Sequence, residues 1–455
     1  MLKRYTLPSM VHLWMRPETK FESWLEVELA FLRARVELGE IPAEAFETIK
    51  TYARIDVAKI EELEAIYDHD MLAFVGAVQS SLKGTSAEKY ASEFHKGITS
   101  YDVEDPALVI ILREAASLIL NELRDLEAAL RQHAKKHQWT LMIARTHGKY
   151  AEPTTFGHLL LTFAELVNRS VRRLSRCITF ELSEGKISGA VGNYGSVNPE
   201  LEERALKYLK LVPAASETQI LQRDRIASFL SVLATAAGTI EQMCRTFWEM
   251  MRSDAGELEE PRKPKQRGSS AMPHKKNPIL TERLMGLARV VRSSAQAAQE
   301  NIATPEWRDI SQSSVERHIL PDATSILHYM TAKATFLVSN LVVFLEQMEQ
   351  NLEEKTLGVW AAQNIRIALM ESGLGYDEAY ELVQHAAFRA EKERTPLCEI
   401  LRDLIWSKGS ARSTVQDILG VERFEQCFDA RAYIERGISH IFRNADKEVS
   451  DGSSV

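Results

Sequence analysis

Cysteine is scarce in this chain: four in 455 residues, Cys177, Cys244, Cys398 and Cys427, with no CxxC spacing and no histidine at ligand distance. That pattern excludes a disulfide framework and argues against a structural zinc, so no metal is expected and the thiols read as reduced core residues. An excess of positive charge is lacking too. With 56 Lys and Arg against 64 Asp and Glu the formal net charge is −8, which gives a nucleic-acid backbone nothing to bind, and no nucleic acid polymer is expected as a partner. A small anionic substrate stays compatible, because local cationic pockets survive a negative total. No apolar run approaches the ~20 residues of a membrane span, and the opening MLKRYTLPSM has no signal-peptide core. The expectation is a cytoplasmic protein with no membrane partner. Strand-like alternation is rare and no βαβ rhythm, internal repeat or low-complexity tract is visible.

What the chain has is helical period. Phe156, Leu159, Leu160, Phe163, Leu166, Val167, Leu174 and Ile178 recur at spacings of three and four, the mark of an amphipathic helix. The same holds over 219–251, through Ile226, Phe229, Leu230, Leu233, Ala237, Ile240, Cys244 and Phe247, and again over about 320–352. Helices well beyond the usual ~11–12 residues pack side by side in bundles. The fold class is therefore all-α, in three helical domains: a smaller N-terminal one at 1–100, a central long-helix bundle at 101–350, and a second small one at 351–455. Its last residues, ADKEVSDGSSV, are expected to be disordered.

Chemistry-bearing residues gather in the polar segments between helices. GSSAMPHKKNP at 268–278 follows a charged, proline-broken run, GELEEPRKPKQR. A solvated connector is the bland reading; Met272 and Pro273, of types that are commonly semi-buried, and Asn277-Pro278 leading into a helix, favour a loop anchored at one end that closes over a site. Serine is a poor base near neutrality, and would need backbone N–H dipoles and a cation such as Lys275 to stabilise its alkoxide. RTHGKYAEPTTFG at 145–157 offers His147, of a residue type that can deliver a proton near neutral pH, or one merely satisfied in a turn. DHD at 68–70 sets His69 between Asp68 and Asp70. HKGITSYDVED at 95–105 carries His95, Thr99, Ser100 and Asp102, with helix capping the better role for Asp102. EWRDISQSSVERHIL at 306–320 places Arg308 and Arg317 among serines near a helix start, suited to an oxyanion or to a solvated ion-pair face. GAVGNYG at 189–195 lacks the strand–turn–helix setting of a dinucleotide fingerprint.

Together these motifs resemble a known group. GSSAMPHKKNP is similar to the signature of the fumarase/aspartase superfamily, whose members cleave C–N or C–O bonds of succinyl compounds and release fumarate. RY at 4–5, HD at 69–70, TSYD at 99–102, RTHGKYAEPTTFG, TQILQRDR at 218–225 and RDISQSSVER at 308–317 narrow the resemblance to the adenylosuccinate lyase family, from residue 4 to about 440. It implies a fumarase/aspartase-like fold assembling into a tetramer with a 20-helix core, composite active sites drawn from three subunits, a small-molecule nucleotide substrate and no cofactor. Ser269 would be the base that removes the proton β to the leaving nitrogen, and His147 the acid that protonates that nitrogen. His69 would assist His147, while Lys275 and Glu282 would complete the catalytic set. Arg4, Tyr5, Asp68, Asp70, His95, Thr99, Ser100, Gln219, Asn277, Arg308, Ser313 and Arg317 would bind substrate. Asp68 stands where the family commonly has a basic residue, and Lys96 and Pro106 also depart from its usual pattern. The implied activity is elimination of fumarate from adenylosuccinate and from the succinyl-carboxamide ribotide SAICAR. A paralogue acting on another N-succinyl compound, a lactonising relative and a catalytically silent scaffold are the alternatives.

Overall fold

Apolar residues at three- and four-residue spacing do form helices. In a computed structural model describing residues 2–408 and 411–451, five long ones dominate: Ser100–Lys136, Phe156–Phe180, Asp224–Met250, Ile279–Glu300 and Ser311–Ser339. Along Phe156–Phe180, the side chains of Phe156, Leu160, Phe163, Val167 and Leu174 are buried, while Arg169, Arg172, Arg173 and Arg176 are exposed. That division is what an amphipathic stripe demands. The β content among the described residues is four two-stranded pairings, so the all-α expectation holds.

Two helix limits differ from the sequence reading. The period read from 219 becomes helix only at Asp224, because the Asp105 carboxylate accepts the Leu221 N–H at 2.7 Å and Thr218 Oγ1 accepts from Gln222 Nε2 at 3.0 Å. Side chains take up the local donors there and compete with helix formation. The period over 320–352 breaks after Ser339: Val342–Val343 pairs antiparallel with Leu258–Glu259, and the helix Leu345–Glu353 follows. Two β-branched valines suit that extended pairing better than continued helix. Residues 445–451 continue the helix Ala430–Asp451, and the rest of the tail, 452–455, lies outside the described residues.

The chain forms two compact units. The first comprises 1–126, 167–242 and 283–335; the second comprises 127–166, 243–282 and 336–455. In the first, Phe21, Trp24, Phe74 and Phe94 pack with ring centroids 5.4 to 6.1 Å apart, and burial of each such ring contributes about 1.5–3 kcal/mol. Asp102 there is both a cap and a buried anchor. Its carboxylate accepts the Thr99 N–H at 2.9 Å, the Ser188 N–H at 3.0 Å and Lys186 Nζ at 2.6 Å. In the second unit, Ile143, Leu352, Trp360, Ile365, Leu369, Val383, Leu397 and Phe424 form a continuous apolar core.

Lys186 and Asp102 are both wholly buried, so removing one partner strands a charge. Lys186→Met is expected to destabilise the protein by about 3–5 kcal/mol, read as a lower urea midpoint; an unchanged midpoint would mean that the backbone N–H groups alone hold Asp102.

Candidate active site

In the first unit, three segments distant in sequence meet on Arg223. Its buried guanidinium donates to both oxygens of Asp105 at 3.0 and 3.2 Å and, through Nε, to Glu316 Oε1 at 2.8 Å. Asp105 belongs to the TSYD helix, Arg223 to TQILQRDR and Glu316 to RDISQSSVER, so one residue ties the three motifs together. Burial pushes the Glu316 carboxyl up to about 7 even with Arg223 beside it.

The groups that could face a ligand are arranged around this triad. Tyr101 lies one turn before Asp105, and the Arg308 guanidinium stacks 4.1 Å from its ring centre. Arg308 donates to Gln219 Oε1 at 2.7 Å, and Gln219 Nε2 donates to Ala190 O at 2.7 Å. Arg308 Nε is buried without a hydrogen-bond partner, an unfilled donor of the kind a ligand satisfies. Ser313 lines the same cavity as Tyr101. Arg317, one turn further on, donates to Asp70 Oδ2 at 2.9 Å, and Lys20 Nζ donates to the same oxygen at 2.8 Å. Burial opposes the Asp70 charge, yet Lys20 and Arg317 together bring its pKa down to about 2. Lys20, Tyr101, Glu104, Ser313 and Arg317 line one cavity of about 420 Å³. Glu104 is pushed up to about 7, by burial first and by the Asp70 charge next.

Asp70, Gln219, Arg308, Ser313 and Arg317 are thus brought into one network, with Thr99 and Ser100 beside Tyr101 at the helix start. His69 instead caps the helix Asp70–Leu82, its Nδ1 accepting the Leu72 N–H at 3.4 Å. Asp68 ends the preceding helix at a left-handed φ of 51°, so the cap fixes the ring of His69 while the Asp70 carboxylate serves Lys20 and Arg317. His95 is held by a residue the sequence reading missed. Glu28, fully buried, accepts the His95 N–H at 3.2 Å and lies 2.6 Å from its Nδ1. The signal was available: 21, 24, 28 and 31 share one helix face, and an acidic residue among Phe21, Trp24 and Phe31 needs a partner. Arg4 and Tyr5 sit in a single turn, Lys3–Tyr5, with Tyr5 edge-on to Tyr329 at 5.6 Å.

The second unit carries the remaining candidates. RTHGKYAEPTT, read as a polar connector, is a β-hairpin: Leu141–Thr146 pairs with Lys149–Thr155, and His147-Gly148 is its two-residue turn. Both turn residues have positive φ, 54° and 73°, the requirement of a type I′ turn, which glycine meets without strain. Arg145 at its end forks onto buried Glu257 at 2.9 and 3.1 Å, and Asn351 Nδ2 donates to the same carboxylate at 2.7 Å. His147 is exposed and lines a cavity of about 1510 Å³ with Lys149, Arg252, Lys355 and Arg394.

The Gly268–Pro278 loop folds on itself. Ser269 Oγ accepts two backbone N–H groups, from Met272 at 3.0 Å and Ala271 at 3.3 Å. Asn277 Nδ2 donates to Gly268 O at 3.0 Å. A Cβ on Gly268 would lie 2.1 Å from Lys275 O, so no other residue fits that approach. The loop's end is anchored by Glu260, whose carboxylate accepts the N–H groups of Leu280 and Thr281 at 3.0 and 2.6 Å and caps the helix Ile279–Glu300. Lys275, Asn277 and Glu282 line a different cavity of about 860 Å³, with Trp248 Nε1 donating to Glu282 Oε1 at 3.3 Å. His147 is not among its walls. Among the described residues, no group of three or more His, Cys, Asp or Glu converges as a metal site would require.

A family model described as lyase matches residues 2–293, and the chain belongs to that family. It is 42% identical over 448 residues to the adenylosuccinate lyase of Thermotoga maritima, covering 98% of this chain and 100% of that one. It is 38% identical over 435 residues to the adenylosuccinate lyase of Bacillus subtilis, covering 96% and 97%. Among solved structures, the 3-carboxy-cis,cis-muconate lactonizing enzyme of Pseudomonas putida is 27% identical with a TM-score of 0.86, covering 98% of both chains. A fumarate lyase from Mesorhizobium sp. BNC1, at 23% identity, shares the fold with a TM-score of 0.87 over 98% of this chain and 99% of that one.

Glu104 yields a pH-dependent prediction. Its folded pKa near 7 lies above the ordinary 4.5, so its contribution to stability is full below the unfolded value and is lost as pH rises through the folded one. Glu104→Gln, which carries no charge among Lys20, Asp70, Asp105 and Arg317, should therefore raise the thermal midpoint at about pH 8 more than at about pH 5. Equal shifts at both would show that Glu104 ionises freely in the folded protein.

Proposed function

We propose that this protein is an adenylosuccinate lyase, eliminating fumarate from adenylosuccinate to leave AMP and from SAICAR to leave AICAR, in purine biosynthesis. Identity of 36 to 42% with four adenylosuccinate lyases over nearly the whole chain supports the substrate. The observation that carries the reaction type is the Ser269 environment, two backbone N–H groups on one Oγ. They offset the negative charge a serine must bear to act as a base, and Lys275 of the same loop supplies the cation.

Ser269 takes the proton from the carbon β to the leaving nitrogen. The freed electron pair is held first as a carbanionic intermediate conjugated with the adjacent carboxylate; it then forms the C=C bond of fumarate as the C–N bond breaks, and His147 gives its proton to the departing nitrogen. Lys275, Asn277 and Glu282 hold the intermediate. Arg308, with its unfilled Nε, and Arg317 bind the phosphate and succinyl carboxylates with Arg4, Tyr5, Thr99, Ser100, Gln219 and Ser313, and His69, Asp68 and His95 complete the set, while Asp70 holds Arg317 in place. Within one chain His147 and the Ser269 loop border different cavities, which favours composite sites in a homotetramer. The cytoplasm is the proposed compartment. The functional division into 1–100, 101–350 and 351–455 is supported by the four longest described helices, Ser100–Lys136, Phe156–Phe180, Asp224–Met250 and Ser311–Ser339, all falling between Ser100 and Ser339.

Fumarate release from adenylosuccinate, beside argininosuccinate and aspartate, tests the reading; turnover of a non-nucleotide alone overturns it. Ser269→Ala and His147→Ala should each lose about 10²–10⁴-fold in kcat while the oligomer persists. Mixing the two inactive variants should restore activity if the sites are composite, and no recovery after subunit exchange would place both groups on one chain's site.

A further inference from the structure

The Asp70 carboxylate has two cationic partners on a single oxygen, Lys20 at 2.8 Å and Arg317 at 2.9 Å. Two cations against one carboxylate leave this three-residue cluster with a net positive charge, with Glu61 and Glu64 also lining the cavity. The cluster's net charge falls at the Arg317 end, because that side chain is 57% exposed whereas Lys20 is 38% and Asp70 14% exposed. Lys20 is fixed by more than the carboxylate: its ammonium lies 4.3 Å from the Trp24 ring centre and 5.4 Å from that of Phe21, contacts that hold a cation in place. Glu104, lining the same cavity, stays largely protonated below about pH 7 and adds no full counter-charge there. If Lys20 carried no charge, Arg317 and Asp70 would form a neutral pair and the guanidinium would meet an incoming anion already compensated.

We propose that Lys20 is a positioning residue for the substrate anion: by sharing Asp70 it leaves Arg317 the uncompensated charge that a phosphate or succinyl carboxylate needs. This rests on the reading above in which Arg317 binds substrate. It assigns a role to a residue in the first domain that none of the recognised motifs contains, and it gives Asp70 the task of orienting Arg317 rather than contacting substrate.

Steady-state kinetics on adenylosuccinate separate the outcomes. Lys20→Met should raise KM about tenfold with kcat within about threefold, and Lys20→Gln, which keeps a hydrogen bond to Asp70 without the charge, should do the same. Lys20→Arg should restore the parent KM. The deciding variant is Lys20→Met combined with Asp70→Asn: removing both charges should return KM toward the parent value, which a packing role for Lys20 on Trp24 would not allow. An unchanged KM in Lys20→Gln, or a double variant no better than Lys20→Met, overturns the proposal. A parent enzyme that releases no fumarate overturns the lyase reading instead, and the two failures are read from separate arms of one assay.

Discussion

The arrangement of the first unit depends on a single buried guanidinium. Arg223 bonds Asp105 and Glu316 at once, and those two residues stand in two other motifs, TSYDVED and RDISQSSVER. Desolvating a guanidinium is costly, and only complete pairing makes it tolerable. That demand is also a specification: the helix Ser100–Lys136, the turn before Asp224 and the helix Ser311–Ser339 have one relative setting in which all three charges are satisfied. Tyr101, Ser313 and Arg317 stand on those elements, so the positions of these cavity-lining side chains follow from a buried ion-pair contact.

The second unit solves the same problem by backbone means. Ser269 takes its two amides from its own loop, Gly268 is the only residue that fits against Lys275 O, and Glu260 holds the loop's exit by capping a helix. Side-chain charge organises one half of the machinery, and turns and caps organise the other.

Much of this was legible before any coordinates. Periodicity found Phe156–Phe180 and most of Asp224–Met250 and Ser311–Ser339, but not Ser100–Lys136 or Ile279–Glu300, and residue types that do not belong in a helical chain marked GSSAMPHKKNP and RTHGKYAEPTTFG. What escaped has a common physical origin in partners distant along the chain. The helix expected from 219 starts late because Asp105, 116 residues away, takes an amide. The long helix expected to reach 352 stops because Val342–Val343 finds a strand at Leu258–Glu259. Lys20 stands in no motif and gains meaning only from Asp70, while Glu28, on a helix face with Phe21, Trp24 and Phe31, and Glu104, inside HKGITSYDVED, were visible as residues but not as partners of His95 and Arg317. The hairpin was missed for a different reason: its turn residues are His-Gly rather than the commoner Asn-Gly, and its strands carry charged residues that read as loop.

That hairpin turn has a consequence for how such a protein can change over generations. His147 occupies a position defined by backbone dihedrals, with its ring in solvent and its fold supported by the Arg145–Glu257–Asn351 cluster at the strand's end. Asparagine, aspartate and glycine adopt the same left-handed geometry as readily. The residue proposed to carry the acid can therefore be exchanged with little cost to folding, and selection can retune or silence the reaction at this site while the helical scaffold is inherited intact.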